Sequence, residues 1–137
     1  MKIFNKSIKE YIKTINTFLL IIIAITMIQI VSFILEVYPR IFIDPIGLIK
    51  IIFVTWAGLF VVKKYKFNLK QTAVTGFIIF ILTGWFLPFL IFFQSNSPII
   101  PFIFRIINFI LLVLSNLIIY IFAAIFGGWL AQKKLKK

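Results

Sequence analysis

Apolar residues occur along this chain in four long runs that are separated by short polar segments. The runs cover residues 17–35, 45–62, 72–93 and 102–131. Even the shortest run, at about 1.5 Å per residue, reaches about 27 Å, close to the roughly 30 Å of a bilayer's hydrocarbon core. Each run therefore predicts a membrane-spanning helix. Because the connecting segments are short, the pattern predicts an all-α integral membrane protein, folded as a four-helix bundle with up-and-down topology.

The residues before the first run show a different pattern, in which basic and apolar positions alternate with helical spacing. Lys2, Lys6, Lys9 and Lys13 share one helical stripe, and apolar residues occupy another. A helix of this kind lies in the membrane interface, with its cations toward the headgroups. We therefore expect residues 1–16 to form a short basic amphipathic helix that turns into the first span.

Local signals mark where two of the helices begin. Ser7 is followed three residues later by Glu10, and Asn68 is followed in the same way by Gln71. In a capping box, these paired side chains satisfy backbone N–H groups at the helix start. The sequence thus predicts helix starts at both places.

A proline interrupts the third run. Pro88 has no N–H group, so it cannot donate a hydrogen bond to the carbonyl oxygen of Gly84. We expect a kink in the outer third of this helix and a carbonyl group left without its helical partner.

Charge adds an orientation to this picture. The chain has a net charge of +12, and 12 of its 15 cations lie before the first run, between the second and third runs, or in the tail at residues 132–137. The other three, Arg40, Lys50 and Arg105, lie near the opposite side. Because cations gather in cytoplasmic loops, the sequence predicts a cell-membrane protein with both termini in the cytoplasm. These cations form a basic rim at the cytoplasmic surface, where they attract anionic lipid headgroups. This attraction explains the charge, so we expect no nucleic-acid partner.

Composition narrows the possible chemistry. Hydrophobic residues make up 63% of the chain, the mean hydropathy is +1.16, and there is no Cys and no His. These absences remove thiol and imidazole chemistry, and four spans leave no room for a soluble catalytic domain. We expect no enzymatic activity, no cofactor and no metal.

The length and topology resemble those of the four-helix small multidrug transporters, whose working Glu lies well inside the first helix. Here the only acids are Glu10, Glu36 and Asp44, and all three are predicted near a membrane surface. A proton- or cation-coupled transporter normally needs a carboxylate at membrane depth. The transporter activity is therefore not carried over to this chain.

Polar residues mark one face of the first span and one position of the second. Thr26, Gln29, Ser32 and Glu36 recur at three- and four-residue spacing. They are expected to make hydrogen bonds between helices, with a substrate or ion path as the alternative. Lys50 lies in the second run and either pairs with Glu36 or extends back to the outer headgroups.

The last run carries a mixed polar and small face, which we expect to contact protein rather than lipid. Its members are Arg105, Asn108, Ser115, Asn116, Ala123 and Gly127.

The inner half of this run also has two series of small residues, Ala123-Gly127-Ala131 and Ala124-Gly128. Small residues allow helices to approach closely. Either the two series face two neighbours in the same chain, or one of them binds a second copy or another membrane protein. The second alternative predicts cross-links between chains from cysteines at Ala124 or Gly128.

These patterns favour a non-catalytic subunit or assembly partner of a membrane complex. A small oligomeric transporter or channel is the first alternative, and a lipid-handling or membrane-perturbing protein is the second. Polar residues near the midplane would fix the helix register in the first case and line a path in the second. They are Thr26, Gln29, Thr55, Thr83, Ser115 and Asn116.

Overall fold

The computed structural model describes residues 2–34, 45–94 and 102–135, and most of them are helical. Two short strands precede the helices, β1 (Lys2–Ile3) and β2 (Lys6–Ser7). The helices are α1 (Ile8–Ile34), α2 (Pro45–Tyr65), α3 (Leu69–Thr83), α4 (Phe86–Gln94) and α5 (Phe102–Leu135).

Among the described residues, four segments are long and apolar enough to cross a membrane, with α3 and α4 together forming one of them. They are Ile8–Ser32, Pro45–Tyr65, Leu69–Phe93 and Phe102–Lys134. The predictions of a helical chain and of four helices able to span a membrane are therefore confirmed.

The N-terminal segment differs from the sequence prediction, because it contains a hairpin instead of a separate helix. Strands β1 and β2 pair antiparallel, and α1 continues without a turn into the first span. Phe4 and Asn5 adopt left-handed backbone conformations, with φ of 48° and 68°. Two such residues in succession close the tight turn that joins twisted strands. Residues 2–7 are thus not helical, and the first helix begins only at Ile8.

The predicted capping box at the start of α1 is confirmed. The backbone N–H of Glu10 donates to Oγ of Ser7 at 3.2 Å, and the backbone N–H of Ser7 donates to Oε2 of Glu10. Both bonds satisfy N–H groups that have no partner within the helix. This local arrangement fixes the start of α1 directly after the hairpin.

The connection between α2 and α3 is also defined by local chemistry. Lys66 has a φ of 57°, and its N–H donates to the carbonyl of Val62 at 3.1 Å, as in a left-handed helix end. The side chains of Asn68 and Gln71 form the predicted capping box at the start of α3. The turn between the two helices is therefore very short.

The third span is interrupted where the sequence predicts a kink. Helix α3 ends at Thr83 and α4 begins at Phe86. Around the break, the N–H of Gly84 donates to the carbonyl of Phe80 at 2.7 Å. Pro88 lies in the first turn of α4, a position at which a missing N–H is tolerated.

Helix α5 makes the most extensive contacts in the described part of the chain, with α2 on one side and α3 on the other. Glycines allow the backbones to meet. A Cβ atom on Gly58 would overlap the carbonyl oxygen of Ala124, and one on Gly76 would lie 2.6 Å from the carbonyl oxygen of Tyr120. Since lipid is as apolar as the side chains, such close packing is a main source of helix association in membranes.

Helix α1 packs against α2, α3 and α4. Near its start, the rings of Tyr11 and Phe67 meet edge to face, with centroids 5.4 Å apart. The Tyr11 hydroxyl also donates to the carbonyl of Ile3, and Nε2 of Gln71 donates to the carbonyl of Phe4. The hairpin is therefore attached both to α1 and to the start of α3.

Candidate functional site

A buried polar pair joins α1 to α2. Nζ of Lys50 donates to Oε1 of Gln29 at 2.9 Å, and both side chains are only 5% exposed. Lys50 lies about 8 Å below the start of α2, at about 1.5 Å per residue. A cation at this depth requires polar partners, and the Gln29 amide oxygen supplies one.

Of the two interpretations of Lys50, extension to the outer headgroups does not describe this geometry, because the ammonium group points to another helix. The prediction of a pair with Glu36 concerns a residue that lies outside the described residues. Gln29 itself makes the bond between helices that was expected of its stripe.

A second polar contact joins α5 to the break in the third span. Nδ2 of Asn116 donates to the carbonyl oxygen of Gly84 at 3.2 Å. This is the carbonyl that has no helical partner, because Pro88 occupies the donor position four residues later. The predicted role of Asn116 in a contact between helices is thus present, and its partner is a backbone group.

In the described part of the chain, the hydroxyl groups near the midplane bond mainly within their own helices. Each hydroxyl donates to the carbonyl four residues earlier in its own helix, at 2.7 to 2.9 Å. The residues are Thr26, Thr55, Thr83 and Ser115. Such bonds satisfy a hydroxyl group within its own helix. Thr83 in α3 additionally forms a side-chain hydrogen bond with Tyr120 in α5.

The mixed face of α5 is divided between the inside and the outside of the helix assembly. Arg105 and Asn116 are half-buried, whereas Asn108 and Ser115 are exposed. The chain's own helices therefore cover only part of this face, and for Asn108 and Ser115 contact with protein rather than lipid stays a prediction. The small residues of α5, rather than its polar residues, face α2 and α3. This orientation turns Asn108 and Ser115 away from the other helices of the chain.

All five small residues of the inner half of α5 are buried within the chain. A Cβ on Gly127 would overlap the backbone of Thr55, and one on Gly128 would meet the side chains of Thr72 and Val62. Packing against two neighbours in the same chain therefore accounts for both series. The members are Ala123, Ala124, Gly127, Gly128 and Ala131. None of them presents an exposed side chain for the expected cross-link between chains.

A small cleft of about 70 Å³ lies between α4 and the first turns of α5. Arg105 and Asn108 contribute its polar groups, and Pro88, Phe92 and Phe109 contribute apolar walls. Helix α5 continues from Arg105 to Lys133 for about 42 Å, which equals a bilayer with its headgroups. Arg105 can therefore lie at one headgroup level while Lys133 lies at the other.

A larger but shallow and open groove, of about 330 Å³, lies beside the hairpin and is called here the inner groove, after the side on which the sequence predicts the hairpin. Its lining includes Ile3 and Phe4 from the hairpin, Lys70 and Phe77 from α3, and Ile121 from α5. Sequence reasoning assigned Lys70 only to the basic rim and did not predict this groove. The spacing of Lys70, Ala73, Val74 and Phe77 on one helical face is the signal that could have indicated it.

Comparisons with protein-family models, with curated proteins and with solved structures give no match to this chain. Function is therefore inferred from the contacts, exposed faces and grooves of the chain itself.

Proposed function

We propose that this protein is a non-catalytic subunit of a membrane complex and that it binds a transmembrane helix of its partner through α5. The observation that carries the proposal is the exposed face of α5 formed by Phe104, Asn108, Leu111 and Ser115, called here the α5 polar face. It places two polar side chains, seven residues apart, on the outside of an apolar helix.

The coverage of α5 supports this proposal. In its most apolar window, 11% of the residues are buried, against 28% to 39% in the other three spans. Its outer half thus has a broad surface that no described helix covers. Lipid tails cannot bond to the side-chain amide of Asn108, whereas a neighbouring helix can, for about 0.6 kcal/mol and at most about 1.7 kcal/mol.

The interior of the assembly favours a subunit over a transporter or channel. The backbone contacts at Gly58, Gly76 and Gly127 bring α5 close to α2 and α3. The hydroxyl groups near the midplane donate to carbonyl groups of their own helices, and Thr83 also bonds with the buried Tyr120 side chain of α5. A path for ions or polar solutes needs polar groups that face a common opening.

We further propose that the four spans run up and down across the cell membrane, with both termini in the cytoplasm. Two contacts support an antiparallel arrangement of α1 and α2. Lys50, early in α2, contacts Gln29, late in α1, and Phe60, late in α2, contacts Phe18, in the first half of α1. The gathering of 12 of the 15 cations on one side supports the orientation. Anionic headgroups would then surround the basic rim.

Site-specific photo-crosslinking in native membranes tests the partner site. A photoreactive amino acid is placed at Asn108 or Ser115, and as controls at Leu20 in α1 and Ile52 in α2, which are 60% and 62% exposed. We expect one discrete product of the same mass from both positions of the α5 polar face and none from the controls.

The mass of the product identifies the partner. Twice the mass of the chain means a second copy, and any other constant mass means a different membrane protein. Products of equal yield at all four positions, or no product at Asn108 and Ser115, would overturn the proposal. The substitution Asn108→Leu should reduce the yield at Ser115 without removing the protein from the membrane.

A further inference from the structure

The inner groove has the chemical character of an amphiphile site. Its surface is almost entirely apolar along Val74, Phe77 and Ile121, and the exposed Lys70 lies at the end next to the start of α3. From Lys70 to Phe77 the helix advances about 10 Å. A cation at one end and an apolar floor along the rest match an anionic headgroup followed by an acyl chain.

We propose that the groove binds one anionic phospholipid, with the phosphate at Lys70 and one acyl chain along Val74, Phe77 and Ile121. The lipid belongs to the leaflet that surrounds Lys70, which is the cytoplasmic leaflet in the topology proposed above. Binding to the groove itself does not depend on that topology or on the partner of α5.

The groove exists before a lipid enters, because its walls are fixed by contacts within the chain. Ile3 and Phe4 line one end, and their carbonyl groups accept hydrogen bonds from Tyr11 and Gln71 at 3.1 and 3.0 Å. On the α5 side, a Cβ on Gly76 would lie 3.0 Å from Cα of Ile121, so the two helices are as close as their backbones allow.

The ammonium group of Lys70 is available for a phosphate. Three other lysines on this side lie over aromatic rings, namely Lys6 over Phe67, Lys64 over Phe60 and Tyr65, and Lys133 over Trp129. Within residues 2–34, 45–94 and 102–135, Lys70 contacts neither an aromatic ring nor a carboxylate. Its side chain is exposed at the mouth of the groove.

Native mass spectrometry of the purified full chain tests this site. The protein is titrated in detergent with phosphatidylglycerol and, separately, with phosphatidylcholine. We expect one phosphatidylglycerol to remain bound at concentrations at which phosphatidylcholine dissociates. A cation near a lipid surface contributes about 1 kcal/mol, so Lys70→Gln should weaken phosphatidylglycerol binding about fivefold and leave phosphatidylcholine unchanged.

Two matched pairs of variants separate this site from general lipid attraction. Lys63→Gln removes another exposed cation and should leave the bound lipid in place. Ala73→Phe fills the groove and should remove the bound lipid, whereas Ala24→Phe enlarges an exposed position of α1 and should not.

Equal losses in Lys70→Gln and Lys63→Gln would overturn the proposal in favour of diffuse charge attraction. Retention of the lipid in Ala73→Phe would also overturn it. Melting temperatures accompany each variant. If Ala73→Phe lowers the melting temperature, the comparison of the two lysine variants decides alone, because both side chains are exposed and their replacement does not disturb the core.

Discussion

The side-chain amide of Asn116 in α5 donates a hydrogen bond to the carbonyl oxygen of Gly84, at the break between α3 and α4. The two residues are far apart in sequence, and the bond crosses from one span to another. Pro88 creates the need for this bond, because it cannot supply the N–H that the carbonyl would otherwise accept. The kink in the third span is thereby coupled to the position of α5.

A double-mutant cycle tests this coupling. Asn116→Leu leaves the Gly84 carbonyl without a donor and should lower the free energy of unfolding by about 1 kcal/mol. Pro88→Ala restores a backbone N–H, so Asn116→Leu should cost less in that background. The measurement is reversible unfolding of the purified protein in mixed detergent micelles.

The control for this cycle is Asn108→Leu, the same change at an exposed position of the same helix. It should leave the stability of the isolated chain unchanged. Equal effects of Asn116→Leu in the native and Pro88→Ala backgrounds would show that the Gly84 carbonyl does not couple the two sites.

The pair of Lys50 and Gln29 leads to a second prediction. Gln29→Leu removes the acceptor at 2.9 Å from a buried cation, and it should destabilise the protein by about 1.5–3 kcal/mol, as for hydrogen bonds to charged groups. The double variant Gln29→Leu with Lys50→Leu should recover part of this loss, because the cation is then absent. Met27→Leu, at an exposed position two residues away, serves as the control. The single variant Lys50→Leu completes the cycle. If the loss of stability in the double variant equals the sum of the losses in the two single variants, the two residues act independently.

The neighbouring glycines of α5 give a graded prediction. A Cβ on Gly127 would overlap backbone atoms of Thr55, whereas one on Gly128 would meet only side-chain atoms of Thr72 and Val62, at 3.0 to 3.2 Å. Side chains can shift by a few tenths of an ångström, but two packed backbones must separate. Gly127→Ala should therefore cost about 1–3 kcal/mol and Gly128→Ala less. A larger loss in Gly128→Ala, measured by the same unfolding assay, would contradict the described contact between α2 and α5.

The proposed orientation predicts the location of fused reporters. Reporters at Lys137 or within residues 63–66 should be cytoplasmic, and those near Arg40 or Asn96 should be external. Each site is tested with two reporters, one that is active only in the cytoplasm and one that is active only outside the cell, and the activities of the two are compared. An external C-terminus would contradict the topology without affecting the predictions on Asn116, Gln29 and Gly127.

The sequence predicted features that depend on local chemistry. The capping boxes at Ser7 and Asn68 and the break before Pro88 follow from side chains that act on backbone groups nearby. The number of helices long and apolar enough to span a membrane could also be predicted from the sequence. The rise per residue of a helix and the thickness of the hydrocarbon core are both nearly constant, so the length of an apolar run is sufficient.

The rotation of α5 could not be predicted in the same way. In a soluble protein, polar residues mark the outside of a helix, but in a membrane the lipid and the protein interior are both apolar. The polar residues and the small residues of α5 lie on different faces of the helix, and only one of these faces can pack against α2 and α3. The backbone contacts at Gly58 and Gly127 show that the small face does so. Asn108 and Ser115 are therefore exposed on the surface of the chain.

The hairpin was missed for a different reason. Its two strands have two residues each, and its turn residues are Phe4 and Asn5 rather than the Asn-Gly or Asp-Gly pairs that usually mark such turns. A lysine-rich segment with helical spacing therefore suggested a helix. Of the two bonds that hold the hairpin, the one from Tyr11 comes from a residue eight positions away, and the one from Gln71 comes from a residue 67 positions away.

The close backbone contacts of α5 with α2 and α3 have a consequence for the order of events on the ribosome. Helices α2 and α3 are synthesised first, but Gly58 and Gly76 remain uncovered until Ala124 and Tyr120 arrive. At roughly 5–20 residues per second, about 40 further residues take about 2–8 s to synthesise. During that interval, the nascent chain exposes a strip of backbone to the translocation machinery and to membrane chaperones. We expect chains that stall before Ala124 to be recognised there as unassembled and degraded.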